Sequence, residues 1–268
     1  MFSVVIRNKN ESEALRRILP ILIHQYKDDF NEIILVDNYS SDNSVEIAKS
    51  FNCKIEYIKD FTYGRAINLG LSKAENKYIL LLSAHALPVG KSFFKTSLVA
   101  LEKDSKIAGL RYINSMKNYE LAFKNNFVVN KSLEHGLMAA CAMVNKEVWL
   151  NHKFDELLPA SEDKEWSLRV MKNDFKIMQV PETYFYFALR NQNKRLKRFS
   201  IETTAETILR KSRPPTYRKI ILVSFYNIIF KSTLKFLKNV VYEIQLLKIK
   251  LKIRQEVIRY NRNNKLNP

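Results

Sequence analysis

Apolar positions in the first ninety or so residues alternate between short runs and stretches of helical spacing. Residues 2–6 form a brief apolar run closed by Arg7-Asn8-Lys9-Asn10-Glu11, after which Ala14, Leu15, Ile18, Leu19 and Leu22 recur at the period of a helix. Residues 32–36 repeat the run and end in Asp37. Asn38-Tyr39-Ser40-Ser41-Asp42 then leads into a helix with Val45, Ile47, Ala48 and Phe51 on its apolar face and Ser41 or Asp42 as its cap. A third strand is predicted at 54–58 and a helix at 65–74. The run at 78–82 follows and stops abruptly in Ser83-Ala84-His85. Having no polar alternation, it reads as a strand covered on both faces. Strands separated by helices at this spacing predict an α/β fold with a mainly parallel central sheet and right-handed crossovers. Such sheets bind ligands beyond the carboxyl ends of their strands, where Ser83-Ala84-His85 falls.

Beyond Pro88 the pattern predicts a helix at 93–101, a strand at 107–113, little periodicity over 114–135, a small-residue strand at 137–144 and a short helix at 146–152 bearing Trp149. Two acidic pairs follow, Asp155-Glu156 and Glu162-Asp163. The second opens an amphipathic helix carrying Trp166, Leu168, Val170 and Met171. A further strand is read at 183–187. Arg213-Pro214-Pro215-Thr216 then interrupts the chain, and the composition shifts. Two domains are expected, 1–211 and a helical appendage at 212–268. In the appendage Leu246, Ile249, Ile253, Val257 and Tyr260 form one helical stripe; alternation over 247–253 also fits a strand, but the length favours helix.

Charge sharpens this division. The net charge is +18. Residues 211–268 hold 14 Lys and Arg against 2 Glu, or 14 − 2 = +12, which leaves 18 − 12 = +6 for the first 210 residues. A basic amphipathic tail suits an anionic membrane surface, or alternatively packs on its own domain or on a second subunit as a homo-oligomer contact. No uncharged run of about 18 residues occurs, so a membrane span is not expected. The two cysteines, Cys53 and Cys141, lack metal-ligand spacing, and the amino terminus does not read as a signal peptide. The expected location is the cytoplasm, at the inner face of the cell membrane. Nucleic acid is not an expected partner, since only charge speaks for it.

The polar residues at the strand ends leave alternatives open. Asp37 is either a turn carboxylate or a ligand contact. Gly64-Arg65 at a helix start offers free amides and a guanidinium to phosphate, although surface arginines are common there. His85 is a solvated loop histidine or a working one. Glu162 and Asp163 compensate a helix dipole or act on a substrate.

Four stretches, SVVIRNKNE, EIILVDNYSSDNSVEIAKSF, FTYGRAINLGLSKAENKYILLLSAHALP and FDELLPASEDKEWSLRVMKNDFKI, resemble in order and spacing successive blocks of the glycosyltransferase family 2 enzymes with a GT-A fold, over roughly residues 1–200. The resemblance implies inverting transfer of a sugar from a nucleotide diphosphate sugar to the hydroxyl of a saccharide or lipid-linked saccharide acceptor, as in bacterial surface polysaccharide or capsule assembly. By position it implies that Arg7, Asn10 and Glu11 meet the nucleotide, that Asp37 contacts the base and that Arg65 lies on the diphosphate side. It also makes Asp163 the catalytic base, with Glu162 orienting the site and Trp166 offering the acceptor an apolar platform. Ser83-Ala84-His85 occupies the place of the family's Asp-x-Asp motif and looks like a recognised subgroup. One hydroxyl and one imidazole make a poor site for magnesium or manganese, with His85 the weak candidate ligand. No cofactor is therefore assigned, and Arg7, Lys9 and Arg65 are expected to neutralise the leaving diphosphate. Ala188-Leu189-Arg190 replaces a histidine often found there, with Arg190 a candidate substitute cation. The alternatives are a non-catalytic nucleotide-sugar or glycan-binding protein on a degenerate transferase fold, and a nucleotidyltransferase. The latter wants a glycine-rich loop after the first strand, and RNKNE has no glycine.

Overall fold

The structure is a computed structural model and describes residues 1–188 and 192–263. The chain divides into two compact units, Met1–Lys211 and Ser212–Pro268.

In the first unit eight strands form one sheet: β1 (Phe2–Asn8), β2 (Phe30–Asp37), β3 (Lys54–Tyr57), β4 (Tyr78–Ser83), β5 (Ala86–Val89), β6 (Ile107–Ile113), β7 (Cys141–Asn145) and β8 (Lys176–Tyr186). Their order is β3-β2-β1-β4-β7-β6-β8-β5. The β1–β2, β2–β3, β1–β4 and β6–β8 pairs are parallel; β4–β7, β6–β7 and β5–β8 are antiparallel. The fold class is α/β, a mixed sheet flanked by helices α1 (Ser12–Tyr26), α2 (Ser44–Ser50), α3 (Tyr63–Lys73), α4 (Phe93–Glu102), α5 (Met116–Lys124), α6 (Ser132–His135), α7 (Lys146–Asn151), α8 (Glu162–Lys172) and α9 (Gln192–Leu209).

Both sheet faces are buried, which is why β1 and β4 show no polar alternation. Val4 and Ile6 of β1 with Leu80 and Leu82 of β4 face one cluster, joined by Leu15, Ile18, Leu19 and Leu22 of α1 and Phe93 and Phe94 of α4. Val5, Ile79 and Leu81 face the other, with Ala66, Ile67 and Leu71 of α3, Trp149 of α7 and Trp166 and Val170 of α8. A Cβ on Gly70 would sit 2.3 Å from a methyl of Val5, so only glycine lets α3 lie this close to β1.

Several elements depart from the sequence-based expectation. β5 is an unpredicted four-residue edge strand, and β7 is shorter than the apolar run it was read from, beginning at Cys141. α5 and α6 lie in the stretch that showed little periodicity. α5 buries only Ala122 and α6 only Ser132, so neither carries an apolar stripe that periodicity would detect.

The second unit is a helix, α10 (Tyr217–Tyr226), that passes through a π-helical turn at Asn227–Lys231 into α11 (Ser232–Asn263). Its large apolar side chains from Tyr217 to Val257 are solvent-facing. By length and composition Tyr217–Arg259 is sufficient to cross a membrane, contrary to the reading that found no span. The reason is that the apolar sequence continues past Lys231 and Lys235 through Leu234, Phe236 and Leu237, which a search for an uncharged run misses.

Candidate active site

Strand order reverses at β1, whose neighbours β2 and β4 run onward to opposite sides, and sheets of this kind take ligands beyond the carboxyl ends of the strands at such a point. Arg7 near the end of β1 stands in register with Ser83 at the end of β4. Its guanidinium points towards α8: Nη2 donates to the Ala139 carbonyl at 2.6 Å, Nη1 lies 3.4 Å from Glu162 Oε1, and Cζ lies 5.7 Å from the centroid of the Tyr63 ring.

Glu162 and Asp163 occupy the first turn of α8, behind Ser161 in the left-handed conformation (φ 62°). Glu162 is 5% exposed. Burial first, and then the adjacent Asp163 charge, push its carboxyl up to about 7, against the opposing pull of Arg7 and Arg198. Asp163 is partly exposed; its Oδ2 accepts the Ala139 amide at 2.9 Å. Ala139 thus receives Arg7 on its carbonyl and donates its amide to Asp163, through the two successive peptide units that flank it.

The segment 136–140 that carries this residue is clamped to its surroundings. Ser167 Oγ accepts the Leu137 amide at 2.8 Å and donates to the Asp163 carbonyl at 2.6 Å. From beneath, the buried Arg111 donates to the Gly136 carbonyl at 2.6 Å, and its charge acts on Asp163; burial lowers the guanidinium from its ordinary range. Sequence reasoning missed Arg111, which sits in an apolar strand with no motif around it. It also missed Arg198 of α9, an exposed guanidinium paired with Glu202 and within electrostatic reach of Glu162, Tyr186 and Tyr63.

On the β2 side the structure places Asp37 differently from a base contact. Its carboxylate is fully buried and accepts from Asn8 Nδ2 (2.7 Å), Ser40 Oγ (2.6 Å) and the Ser40 amide (2.8 Å). It organises the loop after β2, as a turn carboxylate does. Asn10 accepts the Ser41 amide at 2.7 Å, and Asp42 joins the starts of α1 and α2 by accepting the Ser12 and Ser44 amides. Lys9 Nζ donates to the Asn38 and Tyr39 carbonyls. Arg7 and Lys9 thus both donate to backbone carbonyls, and the Lys9 side chain is exposed. Arg65 remains on the surface, its side chain 3.5 Å from Glu156, while its amide is taken by Thr62 Oγ1 at 3.1 Å.

His85 is neither a merely solvated histidine nor part of a metal cluster. Its Nε2 lies 3.0 Å from Glu11 Oε1, tying the loop after β4 to the start of α1, and Tyr186 and Phe187 approach it edge-on. Ser83 Oγ accepts the His85 amide at 3.4 Å. Among the described residues no three His, Cys, Asp or Glu side chains come together as metal ligands. One imidazole already bonded to one carboxylate does not fit a magnesium or manganese ion, which takes about six oxygen-rich ligands.

Trp166 does not offer a platform. Its side chain has no exposure, its ring stacks on Phe154 at 5.0 Å between centroids, and its indole donates to the His152 carbonyl. The indole fills the core beneath α8 because it falls on the helix's inward stripe with Val170. Arg190 lies outside the described residues.

The chain is similar to an uncharacterised glycosyltransferase of Methanocaldococcus jannaschii, 26% identical over 214 residues that cover 74% of each chain. It is also similar to the Escherichia coli chondroitin synthase, 24% identical over 194 residues, which cover 68% of this chain and 26% of that longer protein. Among solved structures it shares the fold of a Pyrobaculum calidifontis mannosyltransferase in complex with GDP-Man and Mn2+ (TM-score 0.61, 15% identity, 85% of this chain and 70% of that one). It also shares the fold of the Mycobacterium tuberculosis glucosyl-3-phosphoglycerate synthase in complex with Mn2+, UDP and glucosyl-3-phosphoglycerate (TM-score 0.59, 15% identity, 81% of each). Residues 3–154, more than half of the chain, match the profile of Glycosyl transferase family 2, and the chain belongs to that family.

Proposed function

We propose that the protein transfers a sugar, with inversion, from a nucleotide diphosphate sugar to an acceptor hydroxyl in the assembly of a bacterial surface polysaccharide, working at the inner face of the membrane. The observation that carries the reading is the partly exposed Asp163 carboxylate. It is fixed by the Ala139 amide beside Glu162 and Arg7, at the carboxyl edge where β1 and β4 deliver their loops. In the reaction the acceptor oxygen bonds to the anomeric carbon as Asp163 takes its proton, and the bond from that carbon to the diphosphate oxygen breaks. The departing nucleoside diphosphate carries the bond's electron pair. Arg65 and Arg198 are the exposed guanidinium groups assigned to its charge, by bidentate contacts that need no carboxylate ligand set.

The occurrence of nucleotide-sugar donors in structural relatives, UDP-GlcNAc with the Staphylococcus aureus TarS fragment and GDP-Man with the mannosyltransferase, supports a donor of this class. The basic tail supports an anionic membrane as the second partner. Donor hydrolysis and transfer measured with UDP-, dTDP- and GDP-sugars test the proposal, with the anomeric configuration of the product read by NMR. Turnover of at least one donor, giving the inverted anomer, is expected. Binding without turnover across the panel would favour a nucleotide-sugar-binding protein on a transferase fold, the reading to which the Ser83-Ala84-His85 departure points.

A further inference from the structure

α11 carries two apolar stripes on opposite sides. At about 100° per residue, Tyr242, Leu246, Ile249, Ile253 and Val257 fall within an arc of about 80°. Leu237, Val240, Ile244, Leu247 and Leu251 fall within a second arc of similar width, centred about 160° away. Lys248, Lys252 and Arg259 separate the stripes along one flank, and Glu243, Lys250 and Arg254 along the other. Tyr242, Ile249, Ile253 and Val257 of the first stripe are exposed, as are all five residues of the second. A flat bilayer covers one side of a helix, so the stripe facing away from it requires a different cover.

The second stripe has the spacing of a helix that packs on a copy of itself. Leu237, Val240, Ile244, Leu247 and Leu251 succeed one another by three and four residues in turn, and Ile258 continues the series one heptad beyond Leu251. Leu237, Ile244, Leu251 and Ile258 thus recur every seventh residue, the repeat of 3.5 that keeps one seam facing a partner along a left-handed supercoil. The stripe of Tyr242, Leu246, Ile249, Ile253 and Val257 ends on two successive steps of four and drifts off that repeat. Charge agrees with a parallel arrangement. Glu243 and Lys248 flank the seam on opposite sides five residues apart, the offset at which such positions meet between parallel helices. Arg254 interrupts the apolar series, and its long stem allows the guanidinium to leave the seam. We propose that the Leu237, Val240, Ile244, Leu247 and Leu251 stripe of α11 is a parallel coiled-coil seam for a second copy of this chain, leaving the other stripe to the membrane. The seam is independent of the chemistry assigned to the active site.

Cysteine cross-linking of the full-length chain tests this. Both native cysteines are buried, at 7% and 0% exposure, so a new thiol on α11 is the accessible one. Ile244→Cys and Leu251→Cys, each oxidised alone, should give disulfide-linked dimers at least about tenfold faster than Ile249→Cys and Ile253→Cys, because a disulfide needs Cβ atoms within about 4.5 Å. The pair of positions also fixes orientation, since self-cross-linking at both 244 and 251 requires parallel chains in register. Equal rates at all four positions, or none at any, would overturn the proposal. Light scattering provides a second measurement on the unmodified chain: wild type should have the mass of two or more copies, and Ile244→Asp that of one, with donor hydrolysis per chain unchanged. A monomeric wild type would overturn the proposal. So would loss of Ile244→Asp pelleting with phosphatidylglycerol vesicles together with unaltered mass, which would assign this stripe to the bilayer.

Discussion

Two neighbouring carboxylates in the first turn of α8 are held in different environments. Asp163 is partly exposed, with one oxygen fixed by the Ala139 amide, while Glu162 is buried opposite Arg7. Asp163→Asn keeps the shape and removes the proton acceptor, so transfer should fall by about 10² or more while nucleotide affinity stays near that of wild type. Steady-state rates and equilibrium binding of the donor check this, and a variant retaining a tenth of wild-type activity would remove the base assignment. Glu162 titrates near 7 in the folded protein against an ordinary value of 4.5. Between those values the folded state holds a proton that the unfolded chain has released, so this group's contribution is full below pH 4.5 and is lost as pH rises through about 7. Denaturant unfolding of Glu162→Gln should accordingly show a smaller loss of stability from pH 4.5 to 7 than wild type. The metal question also belongs to single residues. His85 bonded to Glu11 is a poor ligand set for a hard cation, so activity is expected to persist in excess chelator. Complete loss in EDTA with full recovery on adding manganese would show that the donor diphosphate brings its own ion.

Elements near the site are joined by side chains that satisfy one another inside the fold. Asn68 of α3 is the clearest case: its amide donates to the Phe154 carbonyl (2.9 Å) and to Glu156 (2.8 Å), and its oxygen accepts from the Trp149 indole (2.9 Å) and the Phe154 amide (3.0 Å). It thereby ties α3 and α7 to the segment that leads into α8. A Cβ on Gly64 would lie 2.1 Å from the Asp155 carbonyl, so the two backbones meet directly beside this knot. Asn68→Ala strands several buried partners at once. It should lower stability by at least about 2 kcal/mol, read as a shift in denaturant midpoint at constant slope. Periodicity predicted α1, α3, α4 and α8 because each buries an apolar stripe against the sheet. It was silent on α5 and α6, which bury one residue apiece and are held by hydrogen bonds and chain connection.

The whole molecule joins an α/β catalytic unit to a helix with no buried apolar side chain between Tyr217 and Val257. Net charges of +6 before residue 211 and +12 from it onward assign electrostatic attraction mainly to the tail. Each basic residue near an anionic surface adds about 1 kcal/mol. Truncation after Lys211 should therefore abolish sedimentation with phosphatidylglycerol vesicles while sparing donor hydrolysis. Unchanged sedimentation would place the membrane contact on the catalytic unit. Because Ile220, Ile221, Leu222, Val223, Phe225, Ile228, Ile229 and Phe230 surround the helix on all sides, binding should also resist high salt better than a purely ionic contact would.

Local sequence determined the order of strands and helices through 113 apart from the edge strand β5, the break at Arg213-Pro214-Pro215 and the acidic start of α8, since each depends on periodicity or backbone chemistry within a few residues. It also supplied the family, through blocks of residues whose order survives sequence divergence. Only the tertiary structure decided what the polar residues do, because their partners lie far along the chain. Asp37 is enclosed by Asn8, Arg7 is drawn across 132 positions to Ala139 and 155 to Glu162, and His85 meets Glu11. Trp166 shows the same limit: a helical stripe identifies an aromatic residue on one side of α8, and only packing on Phe154 shows that this side faces the core.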